Sequence, residues 1–253
     1  MDRKARIRRL LEGIETGDPT AVEVINAATY IRHNPQTHEG REGLAALFAR
    51  LAKSNPRVNL ARVFEDGDYI FAHTEYDFAS RRIGFEVFRF EGDEAVEHWD
   101  NIQPRQGPNG SGRSMVDGPT EAEDHAHTEN NRALVRRFVE EVLVERRLEA
   151  LARYVDAEGE LAQHDPRLVD GVSSLRAALE AVGDDGPSIR YERLHRVLAE
   201  GNFVLAVSEG SREGVHSAFY DLYRVAAGKL VEHWDTVEAV APRSEWQNDN
   251  GKF

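Results

Sequence analysis

Hydrophobic residues recur with a helical period near the start of the chain, and the same pattern returns in its second half. The two runs are Ile7, Leu10, Leu11 and Ile14, and then Leu134, Val135, Phe138, Val139 and Val142. Spacings of three and four residues place such side chains on one face of an α-helix. Shorter apolar runs predict a second helix around residues 22–25, matched at residues 148–151, and a third helix over residues 43–48.

Beyond the third predicted helix the period becomes that of β-strands. Four segments rich in β-branched and aromatic residues cover 58–64, 69–78, 83–90 and 95–102. Asp-Gly at residues 66–67 and Glu-Gly-Asp at residues 91–93 separate them, and such sequences favour hairpin turns. Helices followed by an antiparallel meander predict an α+β unit whose helices cover one face of a sheet.

Two short motifs occur twice and extend the repeat to the whole unit. Glu-His-Trp-Asp at residues 97–100 returns unchanged at 232–235, and His-Asn-Pro at 33–35 returns as His-Asp-Pro at 164–166. Collinear matches at a domain-sized period indicate a tandem duplication. We therefore predict copy one at residues 1–104, an extended or flexible Gly/Pro-rich linker at 105–127, and a divergent copy two at 128–253.

Composition removes several classes of function. The 253 residues carry a formal net charge of −13, which disfavours sequence-independent nucleic-acid binding because that binding depends on Lys and Arg. The chain has no cysteine, so disulfides, iron–sulfur clusters, zinc–thiolate sites and thiol nucleophiles are excluded. No apolar run is long enough for a membrane span, and the basic first residues lack the apolar segment of a secretory signal. We expect a cytoplasmic protein without a nucleic-acid or membrane partner.

Strand alternation brings an acidic side chain into apolar surroundings. In copy one the residues that share a strand face are Glu86, Phe88 and Phe90, and His98 and Asp100; in copy two they are Asp221 and Tyr223, and His233 and Asp235. A carboxyl buried without a partner is costly. The pattern predicts a pocket suited to proton transfer near neutral pH. The alternative is an acid at a sheet edge, hydrogen-bonded to a neighbour such as His98.

The sequences of residues 30–35, 40–43, 84–90 and 96–103 resemble those of SnoaL-like polyketide cyclases. They are similar to the predicted aldol-condensation branch of that family, within the nuclear-transport-factor-2-like superfamily. The resemblance implies two tandem cone-shaped α+β domains, each a curved antiparallel sheet wrapped around three helices and enclosing an apolar pocket. Members often pair through their sheets, so it also implies an intramolecular pseudo-dimer, with higher assembly open. The candidate interface residues are Trp99, Trp234, Phe85 and Leu222.

The superfamily also contains ketosteroid isomerase and limonene-epoxide hydrolase, and these suggest roles. Glu86 and Asp221 fall where the isomerase has a protonated carboxyl that stabilises an enolate. Asn34 and Asp165 fall where it has its base. The acids that align with one of the epoxide hydrolase are Asp100 and Asp235.

Three departures from these patterns limit the transfer of roles. Asn34 cannot act as a base, so His33, His98 or Asp100 would have to serve in copy one. Copy two has no evident tyrosine on its first helix to complete an isomerase-type oxyanion site. Neither copy has a recognisable arginine partner for an epoxide-hydrolase acid.

These arguments give a defined set of candidate site residues. The candidate catalytic residues are Glu86, His98, Asp100, His33, Asp221, His233, Asp235 and Asp165. The candidate pocket-lining residues are Asn34, Phe88, Phe90, His164 and Tyr223. We expect no cofactor and no metal: a metal site from His33, His98 and Asp100 is chemically permissible, but the spacing does not demand one.

Three classes of function fit the sequence. The first is cofactor-independent acid–base catalysis on a small apolar carbonyl compound, by aldol condensation or isomerisation. The second is a non-catalytic module that binds a small molecule or mediates association, and the third is hydrolysis of an epoxide. Because copy one follows the family pattern more closely, we expect it to be the active copy if only one works.

Overall fold

Each half of the repeated sequence forms its own five-stranded sheet, accompanied by helices. The computed structural model describes residues 2–38, 40–156, 161–184 and 186–253. The chain divides into unit 1, residues 1–105 with 241–253, and unit 2, residues 106–240. The α+β class and the tandem arrangement predicted from the sequence are therefore confirmed.

Unit 1 contains the helices and strands of copy one. Its α-helices are α1 (Arg3–Thr16) and α2 (Gly40–Leu51), with 3-10 helices at Pro19–Val24, Ala52–Ser54 and Arg243–Glu245. Its strands are β1 (Ile31–Arg32), β2 (Arg57–Asp66), β3 (Tyr69–Asp77), β4 (Arg81–Glu91) and β5 (Glu94–Pro104). They form a sheet in the order β1-β5-β4-β3-β2, in which only β1 runs parallel to its neighbour. The second predicted helix is thus a 3-10 helix.

The first helix forms where the apolar spacing predicted it. The Asp2 side chain accepts a hydrogen bond from the Ala5 backbone N–H at 2.7 Å, and Gly17 ends α1 with a positive φ. The buried apolar residues of α1 are Ile7, Leu10, Leu11 and Ile14. Because α1 packs along β2, this apolar face forms one wall of the interior of unit 1.

Unit 2 repeats this order with a more broken helical region. Its helices are α3 (Thr128–Phe138), α4 (Leu151–Tyr154) and α5 (Val172–Glu180), with a π-helix at Val139–Val144 and 3-10 helices at His125–His127 and Leu148–Ala150. Its strands are β6 (Ala162–Gln163), β7 (Val182–Gly183), β8 (Gly186–Pro187), β9 (Ile189–Glu200), β10 (Phe203–Arg212), β11 (Val215–Ala226) and β12 (Lys229–Ala239). The main sheet has the order β6-β12-β11-β10-β9, the same topology as in unit 1.

The strand register aligns the two copies residue by residue. Glu86 lies opposite Asp100 across β4 and β5, and Asp221 lies opposite Asp235 across β11 and β12. The short strand β1 pairs with Glu97 and His98, the first two residues of the Glu-His-Trp-Asp motif. In the same way, β6 pairs with Glu232 and His233. The His-Asn-Pro and Glu-His-Trp-Asp motifs are therefore neighbours in space, in both units.

Residues 106–127, most of the segment that we predicted to be an extended or flexible linker, are attached to the sheet of unit 2. The Asn109 side-chain amide donates to the Gln163 backbone oxygen at 2.6 Å, and Trp234 Nε1 donates to the Asp117 backbone oxygen at 2.9 Å. Glycine and proline let this segment turn, and its polar side chains then fix it to the sheet of unit 2. Composition alone does not reveal such anchors.

Residues 241–253 also differ from their predicted place. We assigned them to copy two from their position in the sequence, whereas they group with unit 1. Their hydrogen bonds to residues 32–37 are the physical reason.

Two further expectations concern a membrane span and the pairing of the two sheets. Within the described part of the chain, the helices are too short or too polar to cross a membrane. The pairing of the two sheets through Trp99, Trp234, Phe85 and Leu222 stays a prediction.

Candidate functional site

Unit 1 has a partly open cavity of about 80 Å³ between its helices and the concave part of its sheet. Its apolar lining comes from Leu10, Leu11, Ile14, Leu44, Leu47, Phe48, Leu51, Phe78, Phe88 and Ile102. Its polar lining comes from Tyr30, Arg32, Tyr76, Glu86, His98 and Asp100. An apolar space with a small set of converging polar groups is the usual form of a small-molecule site.

Three side chains form a hydrogen-bonded chain in this cavity. His98 Nε2 lies 2.6 Å from Glu86 Oε2, and the Tyr76 hydroxyl donates to Glu86 Oε1 at 2.5 Å. The His98 ring also stacks on Phe88, with ring centroids 4.2 Å apart. Burial raises the pKa of Tyr76 well above its ordinary value, and the nearby Glu86 carboxylate adds to the rise, so the phenol remains a donor. The structure thus brings together Glu86, His98 and Phe88 as the sequence predicted.

Asp100 lies beside this chain and has its own set of partners. The Asn34 amide donates to both of its oxygens, at 3.0 and 2.9 Å, and Lys252 Nζ lies 3.3 Å from Oδ1. Burial by itself raises the pKa of Asp100, but the charges of Lys252, His98 and Arg32, with the Asn34 hydrogen bond, outweigh it and hold the pKa below its ordinary value. Asp100 is therefore an ionised carboxylate at neutral pH, and Asn34 supports it.

His33 belongs to a different group of side chains. Its Nε2 lies 2.8 Å from Glu97 Oε1, and its ring stacks on Trp99 with centroids 4.6 Å apart. It is not among the residues that line the cavity. Phe90, which we predicted to line the pocket, packs in the apolar core of unit 1. His33 therefore lies with Glu97 and Trp99 on the opposite side of the sheet, whereas Phe90 packs among the apolar residues of the core without lining the cavity.

Unit 2 contains the same carboxyl–histidine pair. His233 Nε2 lies 3.0 Å from Asp221 Oδ1, and the Tyr191 hydroxyl donates to both Asp221 oxygens at 3.1 and 3.2 Å. His233 Nδ1 lies 2.9 Å from Gln163 Oε1, and the ring stacks on Tyr223. Burial lowers the pKa of His233, but its hydrogen bond to Asp221 and the surrounding carboxylates raise it above the ordinary value.

An arginine joins two carboxyl groups at the end of this site. Arg167 Nε donates to Asp165 Oδ1 at 2.7 Å, and Arg167 Nη2 lies 3.3 Å from Asp235 Oδ2. Burial and the nearby Asp165 raise the pKa of Asp235 to about 7. Our expectation that copy two lacks an arginine partner for its acid is therefore wrong: Arg167 lies two residues after Asp165, and only the fold brings it to Asp235.

His164 repeats the placement of His33. Its Nε2 lies 2.9 Å from Glu232 Oε1, its Nδ1 lies 2.7 Å from the Ser114 backbone oxygen, and its ring stacks on Trp234. His164 and Glu232 are both buried, so their contact joins the two repeated motifs within unit 2.

Large side chains occupy equivalent inner positions of unit 2. Phe219 stands where copy one has Gly84, and its ring lies 4.4 Å from that of Tyr191. Phe138 stands on the first helix where copy one has Leu10, and it makes edge contacts with Tyr154 and Tyr223. A Cβ on Gly84 would lie 2.8 Å from Ile102, so copy one cannot hold the larger residue without moving its strands.

Glu86, His98 and Asp100 are close enough together to be considered as metal ligands. One donor atom from each lies within 4.8 Å of the others. However, Glu86 and His98 use those atoms for each other, and the Lys252 ammonium lies beside Asp100. A second cation is disfavoured there, so this set fits proton transfer better than metal binding.

Sequence reasoning missed seven residues of the two sites. They are Tyr30, Tyr76, Arg32 and Lys252 in unit 1, and Tyr191, Gln163 and Arg167 in unit 2. Tyr76 could have been found, because it shares a strand face with the residue paired to Glu86. The other residues come from segments whose contacts depend on the fold.

A family model matches each of the two copies. The SnoaL-like domain matches twice, over residues 7–114 and 135–233. No curated protein matches the sequence.

Solved structures similar to one half of the chain include three of interest. TsrD from Streptomyces laurentii is 22% identical, with a TM-score of 0.35, over 41% of this chain and 91% of its own. A Catenulispora acidiphila protein with a ketosteroid isomerase-like fold is 20% identical, with a TM-score of 0.33, over 38% and 82%. An M. tuberculosis LEH-like epoxide hydrolase is 13% identical, with a TM-score of 0.33, over 40% and 82%.

Proposed function

The chain belongs to the SnoaL-like domain family, and we propose that unit 1 binds a small apolar carbonyl compound and moves a proton at its α-carbon. The reaction is an isomerisation or an aldol condensation, and it needs no cofactor. The observation that carries this proposal is the Tyr76–Glu86–His98 chain at the wall of a cavity whose remaining lining is mostly apolar.

The pair of Glu86 and His98 is the proton-transferring group in this proposal. The Glu86 carboxyl accepts hydrogen bonds from Tyr76 and His98, which hold it in place within the cavity. It takes the α-proton, and the electron pair of the broken C–H bond moves into an enolate. In an isomerisation the same proton returns to another carbon. In an aldol condensation the enolate carbon forms a bond to a second carbonyl carbon, and the resulting alkoxide takes the proton. The hydroxyl formed in this way is then lost as water together with a remaining α-proton.

Asp100 has a supporting role. It is ionised and faces the cavity, but its oxygens are occupied by Asn34 and Lys252. We propose that it balances the charge of Arg32 and Lys252 in the cavity wall. This balance keeps the cavity suitable for a neutral substrate.

Exchange of α-protons in D2O tests the first half of the reaction without knowledge of the natural substrate. The protein is incubated with a panel of small cyclic ketones, and loss of the α-proton signals is followed by NMR. Glu86→Gln and His98→Ala should each lower the exchange rate by about 100-fold or more. The matched variants in unit 2, Asp221→Asn and His233→Ala, should leave the rate unchanged.

The same experiment separates catalysis from simple binding. If ketones bind in the cavity but Glu86→Gln leaves exchange at the level of the unaltered protein, the acid–base proposal is wrong. Unit 1 would then be a binding module for small apolar molecules.

A second candidate function is favoured by the Asp165–Arg167–Asp235 group of unit 2. With a pKa of about 7, Asp235 holds a proton that it can give to an epoxide oxygen, while Asp165 takes a proton from the attacking water. Arg167 holds both acids in place. Diol formation from a panel of cyclic epoxides tests this reaction, and Asp235→Asn should abolish it. Activity that survives Asp235→Asn would rule out this role.

A further inference from the structure

We propose that residues 246–253, here called the docked segment, are a working part of the copy-one site and that Lys252 is a positioning residue for Asp100. An effect of the docked segment on turnover rests on the function proposed for unit 1. The position of Lys252 beside Asp100 does not depend on that function, because it follows from contacts within unit 1.

Side-chain amides attach the docked segment to the backbone of the His-Asn-Pro motif. Asn248 Nδ2 donates to the backbone oxygens of Asn34 and Thr37, at 2.8 and 3.0 Å. Asn250 Nδ2 donates to the Arg32 backbone oxygen at 3.0 Å. These bonds are specific, since each amide reaches backbone atoms of one short stretch.

The docked segment has a two-residue alternation that leads into the site. Asn248 and Asn250 are half-buried and turned toward residues 32–37. Gln247 and Asp249, which alternate with them along the chain, are exposed. The next residue in this alternation is Lys252, which is only 4% exposed. The two asparagines therefore set the direction in which the lysine enters.

A buried lysine requires a compensating charge. Lysine is almost never fully buried unless it is paired, and Lys252 pairs with Asp100 at 3.3 Å. Removing one member of such a pair leaves an uncompensated charge, which is strongly unfavourable. The insertion of Lys252 next to Asp100 is therefore unlike the incidental packing of a surface lysine.

The surroundings of Asp100 show what Lys252 does there. Lys252 and Arg32 bring positive charge to the carboxylate, and Asn34 donates to both oxygens. On the other side stand His98 and, through it, Glu86, with Tyr76 within electrostatic reach. Among the opposing charges Lys252 has the largest effect, so it keeps Asp100 ionised next to another acid.

Unit 2 meets the same requirement from a different part of the sequence. There Arg167, which follows the His-Asp-Pro motif, supplies the cation to Asp235. The corresponding residue of copy one is Gln36, which has no charge. Copy one thus obtains its cation from residue 252, far away in sequence.

Carboxyl NMR tests the proposal independently of turnover. In full-length protein labelled with 13C at aspartate side chains, Lys252→Met should raise the pKa of Asp100 by about 1 or more. Lys252→Arg should restore most of the effect. Lys229→Met is the matched control, because Lys229 donates to the backbone oxygens of residues 152 and 153 in unit 2, far in the sequence from the Asp100 contacts.

A second variant covers the case in which Lys252→Met does not fold. Asn248→Ala combined with Asn250→Ala keeps the lysine but releases its attachment, and it should raise the pKa of Asp100 in the same direction. A pKa of Asp100 that is unchanged in both variants would overturn the proposal. The pKa of Asp100 could shift in these variants although the unaltered protein shows no α-proton exchange. In that case only the proposed function fails, and the positioning role of Lys252 stands.

Discussion

The two copies build the same carboxyl–histidine pair and surround it differently. In unit 1 a tyrosine from β3, Tyr76, bonds to the acid. In unit 2 the equivalent position of β10 is Gly210, and the tyrosine comes from β9, where Tyr191 lies opposite Gly210 in the ladder. A Cβ on Gly210 would lie 1.9 Å from the Arg190 backbone oxygen, so this position cannot hold a larger residue. Both copies therefore have a tyrosine hydroxyl bonded to the acid, although the tyrosine comes from a different strand in each copy.

The residue next to the histidine Nδ1 also differs between the two copies. Gln163 of unit 2 accepts from His233 Nδ1, and Arg32 occupies the corresponding position in unit 1. A guanidinium has only donors, so it cannot accept from His98 Nδ1. His233 is therefore a donor at both nitrogens, which suits an imidazolium, whereas His98 has an acceptor only at Glu86 within the described structure.

The difference between Asn34 in unit 1 and Asp165 in unit 2 changes the pKa of the neighbouring aspartate. An amide that donates to Asp100 favours its ionised form, and a carboxylate next to Asp235 favours the protonated form. Two aspartates at equivalent positions thus have pKa values displaced in opposite directions. The difference teaches that the repeated motif provides the framework, and that its neighbours decide the chemistry.

The largest predicted effect concerns the pH dependence of stability. Asp235 has a pKa of about 7 when folded and the ordinary value of 3.8 when unfolded. Between these values the folded state holds a proton that the unfolded state has lost, so the free energy of unfolding falls by about 1.4 kcal/mol per pH unit as pH rises. Asp235→Asn should flatten this slope, measured by hydrogen exchange of amides in β11 and β12.

The equivalent residue of unit 1 gives the opposite sign. The pKa of Asp100 is lowered, so its contribution to stability is present above the ordinary value of 3.8 and is lost as pH falls through the folded value. Asp100→Asn should therefore remove stability at neutral pH, measured in β4 and β5. Slopes of the same sign in the two units would contradict the comparison.

The second prediction converts copy one toward copy two. Asn34→Asp places a second carboxylate beside Asp100 and should destabilise unit 1 by about 1–3 kcal/mol at neutral pH. Adding Gln36→Arg should recover much of the loss, because residue 36 corresponds to Arg167. Gln36→Arg alone is the control, and hydrogen exchange in β5 measures the coupling. Additive effects of the two substitutions would contradict the assigned equivalence.

The third prediction tests the tyrosine exchange. Tyr76→Phe and Tyr191→Phe each remove a hydroxyl that donates to a buried carboxyl, so each should destabilise its own unit by about 1.5–3 kcal/mol. Tyr154→Phe is the control in unit 2, because its partner Glu141 is less buried. Denaturation followed by hydrogen exchange in each sheet provides the measurement. A small effect of Tyr191→Phe, similar to that of the control, would show that the two tyrosines are not equivalent.

The smallest predicted effect is spectroscopic. Arg32→Gln should give His98 Nδ1 an acceptor like that of His233, and its 15N resonance should move toward the position of a protonated nitrogen. Gln163→Leu in unit 2 should move His233 Nδ1 in the opposite direction. If the His98 resonance does not respond to Arg32→Gln, the two positions differ in more than this residue.

The sequence by itself determined the framework of each unit. The helical spacing of Ile7, Leu10 and Leu11 and the alternation along residues 83–102 placed the core and the strands correctly, because these periods are local properties of helices and strands. The repeated motifs identified the duplication, and strand alternation placed Glu86 and His98 in one predicted pocket while leaving their hydrogen bond as an alternative. The family resemblance extended this to the tandem α+β fold.

Only the tertiary structure decided which groups complete each site. Lys252 reaches Asp100 across 152 residues of sequence, Arg167 reaches Asp235 across 68, and Tyr191 reaches Asp221 across 30. No local period records such contacts, since they depend on how separate segments dock. His33 and His164 show the converse: they repeat in the sequence, yet the fold places them at Glu97 and Glu232 and not at Glu86 and Asp221, the acids that pair with His98 and His233. A repeat preserves residues, whereas the direction and partners of a side chain are properties of the folded chain.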